Sequence, residues 1–220
     1  MIKLKRIGLW GIINTVRNFI GGNTLTKIIN IYVSLMPVIF TGVLNMVWCK
    51  IPVLKKINIP IDNGKKLKDS NRIFGDNKTW KGLIGYIVFG IICTVIWGVV
   101  CSNVIYLNQH NLFYANYDND IYYNLTIGFL LGLFYALFEL PNSFAKRRLG
   151  IKEGKPPEGM IKLIFIILDQ ADSIFGCVLV LSFVYPMTIL FFFGCVLLGA
   201  MTHIVINVLL YLARLRKNPF

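Results

Sequence analysis

The fold is decided by one uncharged run, Ser173–Ala213, which reads SIFGCVLVLSFVYPMTILFFFGCVLLGAMTHIVINVLLYLA and is 41 residues long. A helix crosses a bilayer with about 20 mostly apolar residues, so this run is long enough for two spans. Pro186 lies about a third of the way along it and separates the two, because proline ends or kinks a helix. The run does not alternate as a barrel strand does, so its backbone groups must be satisfied within helices.

Three further runs contain no Asp, Glu, Lys or Arg: Asn30–Cys49, Gly82–Tyr117 and Ile121–Phe138. The whole chain is 56% hydrophobic with a mean hydropathy of +0.65, more apolar than an ordinary soluble domain. The sequence therefore predicts an all-α, polytopic membrane protein with about five transmembrane helices. We place these spans near residues 28–49, 83–102, 121–140, 161–185 and 187–213.

The net charge of +13 is concentrated between the apolar runs. Nine basic residues lie in Lys50–Lys81, six in Pro141–Lys162 and three in Arg214–Lys217, whereas Ser102–Asp120 has none. Basic loops stay in the cytoplasm, so the pattern predicts a multi-pass protein of the cell membrane with a polar cavity facing the cytoplasm. Such a location favours anionic substrates and membrane lipids as partners, not nucleic acid.

The N-terminal segment differs from the other apolar runs. Its apolar core, Ile7–Ile20, is 14 residues long and contains Arg17, which makes it too short to span comfortably. We therefore divide the chain into an interfacial segment, residues 1–27, and a transmembrane domain, residues 28–220. The five cysteines form no CxxC pair, and we assign them no metal or redox role.

Charge enters the membrane in the fourth span, where Asp169 and Asp172 interrupt an apolar run. They are three residues apart and share one helical face, and Asp169 lies roughly 10 Å beyond Lys162. Two carboxylates at that depth are suited to Mg²⁺, which typically takes one or two of them together with substrate phosphates. The alternatives are a structural pair, or a proton or ion path in a transporter or channel.

Two basic stretches flank the spans. Glu139–Gly150, ELPNSFAKRRLG, places Lys146, Arg147 and Arg148 after an amide and a hydroxyl, Asn142 and Ser143, in what we expect to be a cytoplasmic loop. Lys and Arg suit phosphates, although a stop-transfer cluster would also be basic. Asn71–Gly82, NRIFGDNKTWKG, enters a helix whose N-terminus favours anions; alternatively, Asn77 or Thr79 only caps that helix. His203, with Asn207 and Tyr211 on roughly the same face, is predicted to support the site indirectly.

Taken together, these stretches resemble the CDP-archaeol synthase family of CTP:lipid-phosphate cytidylyltransferases, which is similar in its C-terminal half to phosphatidate cytidylyltransferases. The resemblance covers about residues 30–220, and the combination of the Glu-Leu-Pro-Asn-Ser and Asp-Gln-x-Asp-Ser stretches is its specific part. The matching stretches are Pro60–Lys65, Gly75–Gly82, Glu139–Gly150, Leu168–Ser173, His203–Asn207 and Lys217–Phe220.

The resemblance implies a five-helix fold, Mg²⁺ dependence, and attack of an anionic lipid phosphate on CTP with release of pyrophosphate. It implies that Asp169 and Asp172 hold the metal and, with Lys146 and Arg147, carry the catalysis. The acceptor is an ether-linked isoprenoid glycerol phosphate or phosphatidate, and a homodimer is an open alternative to a monomer. The residues expected to bind CTP are Lys78, Thr79, Lys81, Asn142, Ser143, Lys146, Arg147 and Arg148.

Three other functions compete with this interpretation. A CDP-alcohol phosphotransferase would need a run of four aspartates with a DGxxAR core, which the sequence lacks. A transporter or ion channel would use Asp169 and Asp172 without binding a nucleotide. A non-catalytic anchor for anionic lipids would need no aspartates inside the membrane.

Overall fold

The described structure is helical, as the sequence predicts. The computed structural model describes residues 23–152 and 159–214, and within these ranges only isolated β-bridges interrupt the helices and turns. Five of the described helices are long and apolar enough to cross a membrane, which confirms the predicted number of spans. The helices are α1 (Thr24–Lys50), α2 (Trp80–Asn103), the short α3 (Ile105–His110), α4 (Ile121–Arg148), α5 (Met160–Val184) and α6 (Ile189–Leu212), with 3-10 turns at Lys55–Ile57 and Leu112–Tyr114.

The long helices pack in the order in which the chain makes them. α1 packs on α2, α2 on α4, α4 on α5, and α5 on α6, while α1 and α6 touch each other only slightly. The helices therefore form an open arc around a central space. Loop one, which we define as residues 51–79, lies at the same end of the arc as the C-terminus of α4 and the N-terminus of α5.

Glycines allow α2 and α4 to approach closely. Gly128 and Gly132 of α4 form a GxxxG pair, and a Cβ atom added at Gly128 would lie 2.7 Å from the carbonyl oxygen of Gly90 in α2. Helix association inside a bilayer depends on such close packing, because lipid tails give no hydrophobic advantage to burying leucines instead. This contact fixes the central pair of helices on which the cavity depends.

A proline in α1 is compensated by its neighbour. Pro37 has no N–H, so the carbonyl group of Val33, four residues earlier, loses its helical partner. The indole Nε1 of Trp97 in α2 donates to that carbonyl oxygen at 2.9 Å. The carbonyl group of Val33 thus accepts a hydrogen bond from a neighbouring helix, which shows how this membrane helix tolerates its proline.

The end of the bundle opposite loop one is closed by apolar side chains. Leu112, Phe113 and Tyr114 are buried there, and the backbone N–H of Leu112 donates to Ser34 Oγ at 2.8 Å. The hydroxyl group of Tyr123 donates to the carbonyl oxygen of Phe113 at 2.7 Å. The connection between α2 and α4 therefore folds back into the bundle.

Two helix boundaries differ from the predicted ends of the spans. The third span was expected to end near residue 140, followed by a loop, but α4 continues without a break to Arg148. Pro141 sits inside this helix, and membrane helices tolerate such a proline where neighbouring groups satisfy the freed backbone. At the N-terminus, α1 begins at Thr24, a few residues before the predicted start of the first span. The interfacial segment stays a prediction, and residues 1–22 of it lie outside the described residues.

We expect Gly132→Ala to destabilise the protein, because the new Cβ would lie 2.2 Å from the carbonyl oxygen of Tyr86 and 2.6 Å from Ile87 Cα. Overpacking of this kind typically costs about 1–3 kcal/mol. Thermal unfolding in detergent measures the effect. The matched control is Gly194→Ala in α6, where the new methyl group would meet no atom within 4 Å. Equal unfolding temperatures for the two variants would contradict the role of the glycine contact.

Candidate active site

A polar cavity of about 940 Å³ lies between the helices at the end that carries loop one. Its size is at the upper end of ordinary ligand pockets, which measure about 300–1,000 Å³. All five long helices contribute to its wall. The charged side chains that line it are Lys50, Lys78, Lys146, Arg147 and Arg214, together with Glu139, Asp169 and Asp172.

The two aspartates of α5 meet side chains of α4. Lys146 Nζ donates to Asp169 Oδ1 and Oδ2 at 2.5 and 2.6 Å. Asn142 Nδ2 donates to Asp169 Oδ1 at 2.7 Å and to Asp172 Oδ2 at 2.8 Å. The two carboxylates therefore converge on one nitrogen atom, as their spacing in the sequence predicts.

The helical course of α4 past Pro141 produces this arrangement. Asn142 and Lys146 are four residues apart, so they lie on one face of the helix one turn from each other. Asp169 and Asp172 lie on one face of α5 in the same way. Because α4 packs against α5, the two faces meet. A flexible loop after the third span would not fix these positions.

A second ion pair crosses the cavity from loop one to α4. Lys78 Nζ donates to Glu139 Oε2 at 2.5 Å, and the hydroxyl group of Tyr86 donates to Glu139 Oε1 at 2.9 Å. Burial would lower the pKa of Lys78, but the adjacent Glu139 carboxylate outweighs that effect and raises the pKa above its ordinary value. Lys78 is therefore held as a cation at the cavity wall.

The donors around Asp169 and Asp172 fit a hard cation. Two carboxylate oxygens already converge, and the buried Oδ1 of Asn142 has no hydrogen-bond partner. Turning this amide over would add a third oxygen atom. In the described part of the chain, no three or more His, Cys, Asp or Glu side chains form a metal cluster. The oxygen atoms of Asp169, Asp172 and Asn142 suit Mg²⁺ because this ion needs only one or two carboxylates and completes its coordination with substrate phosphates and water.

Loop one is organised around the buried carboxylate of Asp62. It pairs with Arg72, whose NH2 lies 2.5 Å from Oδ1, and accepts the backbone N–H groups of Gly64, Phe74 and Gly75 at 3.0–3.1 Å. Burial alone would raise the pKa of Asp62, but Arg72 and these backbone donors hold it well below its ordinary value. We call Asp62, Arg72 and these three backbone N–H groups the clasp. The clasp fixes the chain immediately before Lys78.

The two arginines at the end of α4 hold loop one in place. Arg147 donates through Nε to the carbonyl oxygen of Phe74 at 3.3 Å, and it lines the cavity. Arg148 NH1 donates to both carboxylate oxygens of Asp69 at 2.6 Å, and its NH2 donates to the carbonyl oxygen of Arg72. The described cavity wall does not include Arg148, which was expected to bind CTP.

Lys81 also lies apart from the cavity wall. It is 2% exposed, its Nζ donates to the carbonyl oxygen of Ile51 at 2.5 Å, and it lies 4.9 Å from the centre of the Trp48 ring. Thr79 accepts the backbone N–H of Gly82 and caps α2, while it also lines the cavity. Of the eight residues expected to bind CTP, the cavity wall brings together Lys78, Thr79, Asn142, Ser143, Lys146 and Arg147.

Sequence reasoning assigned no role to several polar side chains of the cavity. Glu139 was recognised only as part of a motif, and its signal was a carboxylate at the end of an apolar run. Tyr86 gave no signal, because a tyrosine in a membrane helix is ordinary. His203 and Asn207, which were predicted to support the site indirectly, do line the cavity. Asn207 Nδ2 donates to Gln170 Oε1 at 2.7 Å and so ties α6 to α5, and His203 Nε2 lies 3.5 Å from the hydroxyl group of Tyr135.

Fold and site together define a polytopic membrane protein with a mixed-charge cavity sunk into one end of its helix bundle. The family model for CarS-like CDP-archaeol synthases matches residues 35–220. The chain belongs to the CDP-archaeol synthase family.

Individual relatives agree with this assignment. A CDP-archaeol synthase of Archaeoglobus fulgidus is 30% identical over 191 residues, 81% of this chain and 98% of the relative. One of Methanopyrus kandleri is 30% identical and covers 73% of this chain and 79% of the relative. One of Thermococcus onnurineus is 35% identical over 117 residues, and there the match spans only 61% of the relative's length.

A solved structure, of an intramembrane enzyme for archaeal membrane lipids biosynthesis, shares the fold. Its TM-score is 0.53 at 23% sequence identity, and the alignment covers 80% of this chain and 92% of that one. The similarity supports the five-helix membrane architecture.

We expect Asp62→Asn to loosen loop one, because the amide cannot form the ion pair with Arg72. Hydrogen exchange at the Phe74 and Gly75 amides should speed up about tenfold or more, as expected for a lost charge-assisted bond. The control is Asp76→Asn, which removes an exposed carboxylate that also pairs with Arg72. Unchanged exchange in Asp62→Asn, or equal acceleration in both variants, would contradict the central role of Asp62.

The clasp should also depend on pH in one direction. A carboxyl group with a lowered pKa in the folded protein contributes its full stabilisation above the ordinary Asp pKa, about 3.9. That contribution is lost as the pH falls through the lower folded value. In the unsubstituted protein, protection of the Phe74 and Gly75 amides should therefore persist at pH 5 and fall only under stronger acid.

Proposed function

We propose that this chain is an Mg²⁺-dependent CTP:lipid-phosphate cytidylyltransferase, which converts an anionic lipid phosphate to its CDP-lipid with release of pyrophosphate. One observation carries the proposal: Asp169, Asp172, Lys146 and Lys78 face one cavity of nucleotide size inside a membrane helix bundle. Membership of the CDP-archaeol synthase family supports the reaction and the class of acceptor.

The reaction joins two polyanions. An oxygen of the lipid phosphate forms a bond to the α-phosphorus of CTP, and the bond from that phosphorus to the pyrophosphate oxygen breaks. The attacking oxygen is already anionic, so no side chain has to remove a proton. The barrier comes from bringing like charges together, and positioning and charge neutralisation are the means that a protein has to lower it.

The cations of the cavity perform that neutralisation. Lys146 and Arg147 lie on neighbouring positions of α4, and Lys78 faces them from loop one. In this structure Lys78 pairs with Glu139 and Lys146 pairs with Asp169, and the ammonium nitrogen lies 2.5 Å from a carboxylate oxygen in both pairs. The proposed phosphates accept from the remaining donor hydrogens of these amines, while Asn142, Ser143 and Thr79 supply neutral donors.

Asp169 and Asp172 would hold the proposed Mg²⁺, and the Asn142 amide, if turned over, would offer its oxygen as a further donor. When bound, the ion supplies positive charge that offsets the charge on the α-phosphorus and on the leaving pyrophosphate. The two aspartates alone would be costly in this setting, because a charge at a helix centre costs about 2.5–3.5 kcal/mol on insertion scales.

The open side of the arc gives the acceptor a path. α1 and α6 touch only slightly, and the cavity wall between them carries the apolar side chains of Ile39, Val43, Ile206 and Leu210. We propose that lipid tails stay in the bilayer along this side while the phosphate reaches the cations. In this proposal the protein lies in the cell membrane with its basic end facing the cytoplasm, since most lysines and arginines of the loops lie at that end.

The transporter or ion channel alternative gains no support from these findings. The relatives are described as synthases, and the described residues at the far end of the bundle, Leu112 to Tyr114, are buried. A homodimer stays a prediction that light scattering of the purified protein in detergent will test.

We expect CDP-lipid to form from CTP, Mg²⁺ and a lipid phosphate in detergent, with phosphatidate and an ether-linked isoprenoid glycerol phosphate tested in parallel. Asp172→Asn should lower the rate at least about a hundredfold, as is typical when a group that stabilises transition-state charge is lost. Radiolabelled CTP and thin-layer separation of the product measure both effects.

The matched control is Asp118→Asn, the same substitution at an exposed position near the far end of the bundle. It should keep the full rate. Failure of folded, unsubstituted protein to form CDP-lipid from either acceptor would contradict the proposal, and so would an equal loss of rate in both variants. Absence of CTP binding as well would return the transporter interpretation to consideration.

A further inference from the structure

A short segment beside the cavity exposes several apolar side chains although it lies outside the helices that cross the membrane. We call residues Ile51–Ile59 the finger; it leaves the C-terminus of α1 and leads to the bridge between Pro60 and Thr79. Val53 is 50% exposed and Leu54 is 54% exposed. Grouped apolar side chains on a surface mark a site of contact with another molecule or with a membrane.

The finger is held firmly at both ends. At its start, the Nζ of the buried Lys81 donates to the carbonyl oxygen of Ile51 and lies over the Trp48 ring. At its end, the backbone N–H of Trp80 donates to the carbonyl oxygen of Ile59 at 3.0 Å. The apolar tip is therefore presented by a fixed support.

The backbone of the tip is shaped for this presentation. Leu54 has φ +55°, in the left-handed region that a leucine rarely adopts, and its carbonyl oxygen accepts the N–H of Ile57 in the following 3-10 turn. Pro52 has no N–H, which removes one backbone donor that a non-aqueous contact would leave unsatisfied. A polar residue would be the ordinary choice at such a turn in water.

The position of the finger identifies the partner. It begins at the first residue after a membrane helix, and Trp80, which is about half exposed, opens the next one beside it. Large apolar and aromatic side chains at helix ends are typical of the headgroup level of a bilayer. Exposed lysines, Lys50 and Lys56, flank the tip, and such residues attract anionic lipids.

We propose that the finger inserts Val53 and Leu54 into the headgroup region of the bilayer and that the flanking Lys50 and Lys56 gather anionic lipid headgroups at the mouth of the cavity. Lys50 belongs both to this surface and to the cavity wall, so a gathered headgroup lies next to the site. The identification of that headgroup with the acceptor rests on the proposed function; the membrane contact itself does not.

The depth of a tryptophan placed in the finger tests the membrane contact. We expect the added emission of Val53→Trp, in vesicles of phosphatidylcholine and phosphatidylglycerol, to be blue-shifted and quenched by phosphatidylcholine brominated on its acyl chains. The control is Lys65→Trp, an exposed position of loop one outside the finger, whose emission should stay water-like. An unquenched tryptophan at position 53, or equal quenching at both positions, overturns the proposal.

The same reporter tests the role of charge. With spin-labelled headgroups as quenchers, phosphatidylglycerol should be enriched over phosphatidylcholine at position 53 by about fivefold for each nearby lysine at low salt. The enrichment should fall in Val53→Trp/Lys56→Gln and vanish at high salt. Equal quenching by the two lipids would overturn the gathering of anionic headgroups.

The consequence for the reaction is measured separately. We expect Val53→Ser/Leu54→Ser to raise the apparent KM several-fold for a long-chain lipid phosphate in vesicles, with kcat and the KM for CTP unchanged. A short-chain, water-soluble lipid phosphate should show no change. An equal rise of KM for the soluble acceptor would overturn the membrane role, whereas an inactive unsubstituted protein would contradict only the proposed function.

Discussion

The structure depends on one constraint: a charged group placed inside the membrane bundle needs a partner there, either an opposite charge or, as for Asp172, a hydrogen-bond donor. Glu139 is matched by Lys78 and Asp169 by Lys146, with 2.5 Å between the charged atoms in each pair. Removing one partner of such a pair would leave the other charge uncompensated within the membrane bundle, where an isolated charge is costly. This requirement fixes which helix faces meet, and it explains why α4 has to remain helical beyond Pro141.

The membrane architecture could be predicted because the solvent imposes it. Uncharged runs of about 20 residues have few alternatives to a spanning helix, so five spans were evident from the sequence. Their ends were less evident. Pro141 is followed by polar and basic residues, which indicate a loop in most contexts, and only the packing of α4 against α5 shows that the helix continues.

The candidate site could be predicted where the sequence spacing itself defines a face. Asp169 and Asp172 fall on one side of α5, and the structure brings them to the cavity with Lys146. The charge of a side chain does not show which way the side chain points, however. Lys81 points to a backbone carbonyl group and Arg148 to the Asp69 carboxylate, both away from the cavity wall. The pairing of Lys78 with Glu139 joins residues 61 positions apart, and nothing local in the sequence records it.

The buried turn formed by Leu112, Phe113 and Tyr114 has an electrical consequence. A charge that moves through the whole membrane potential gains or loses about 2.3 kcal/mol per 100 mV. Because the cavity lies at the opposite end of the bundle from these buried residues, we expect most of the voltage to fall between the cavity and that end. Ionic groups that enter and leave from the cavity side would then stay near the potential of one compartment. A reaction confined to that side would move little charge through the field, so its driving force would hardly depend on whether the membrane is energised.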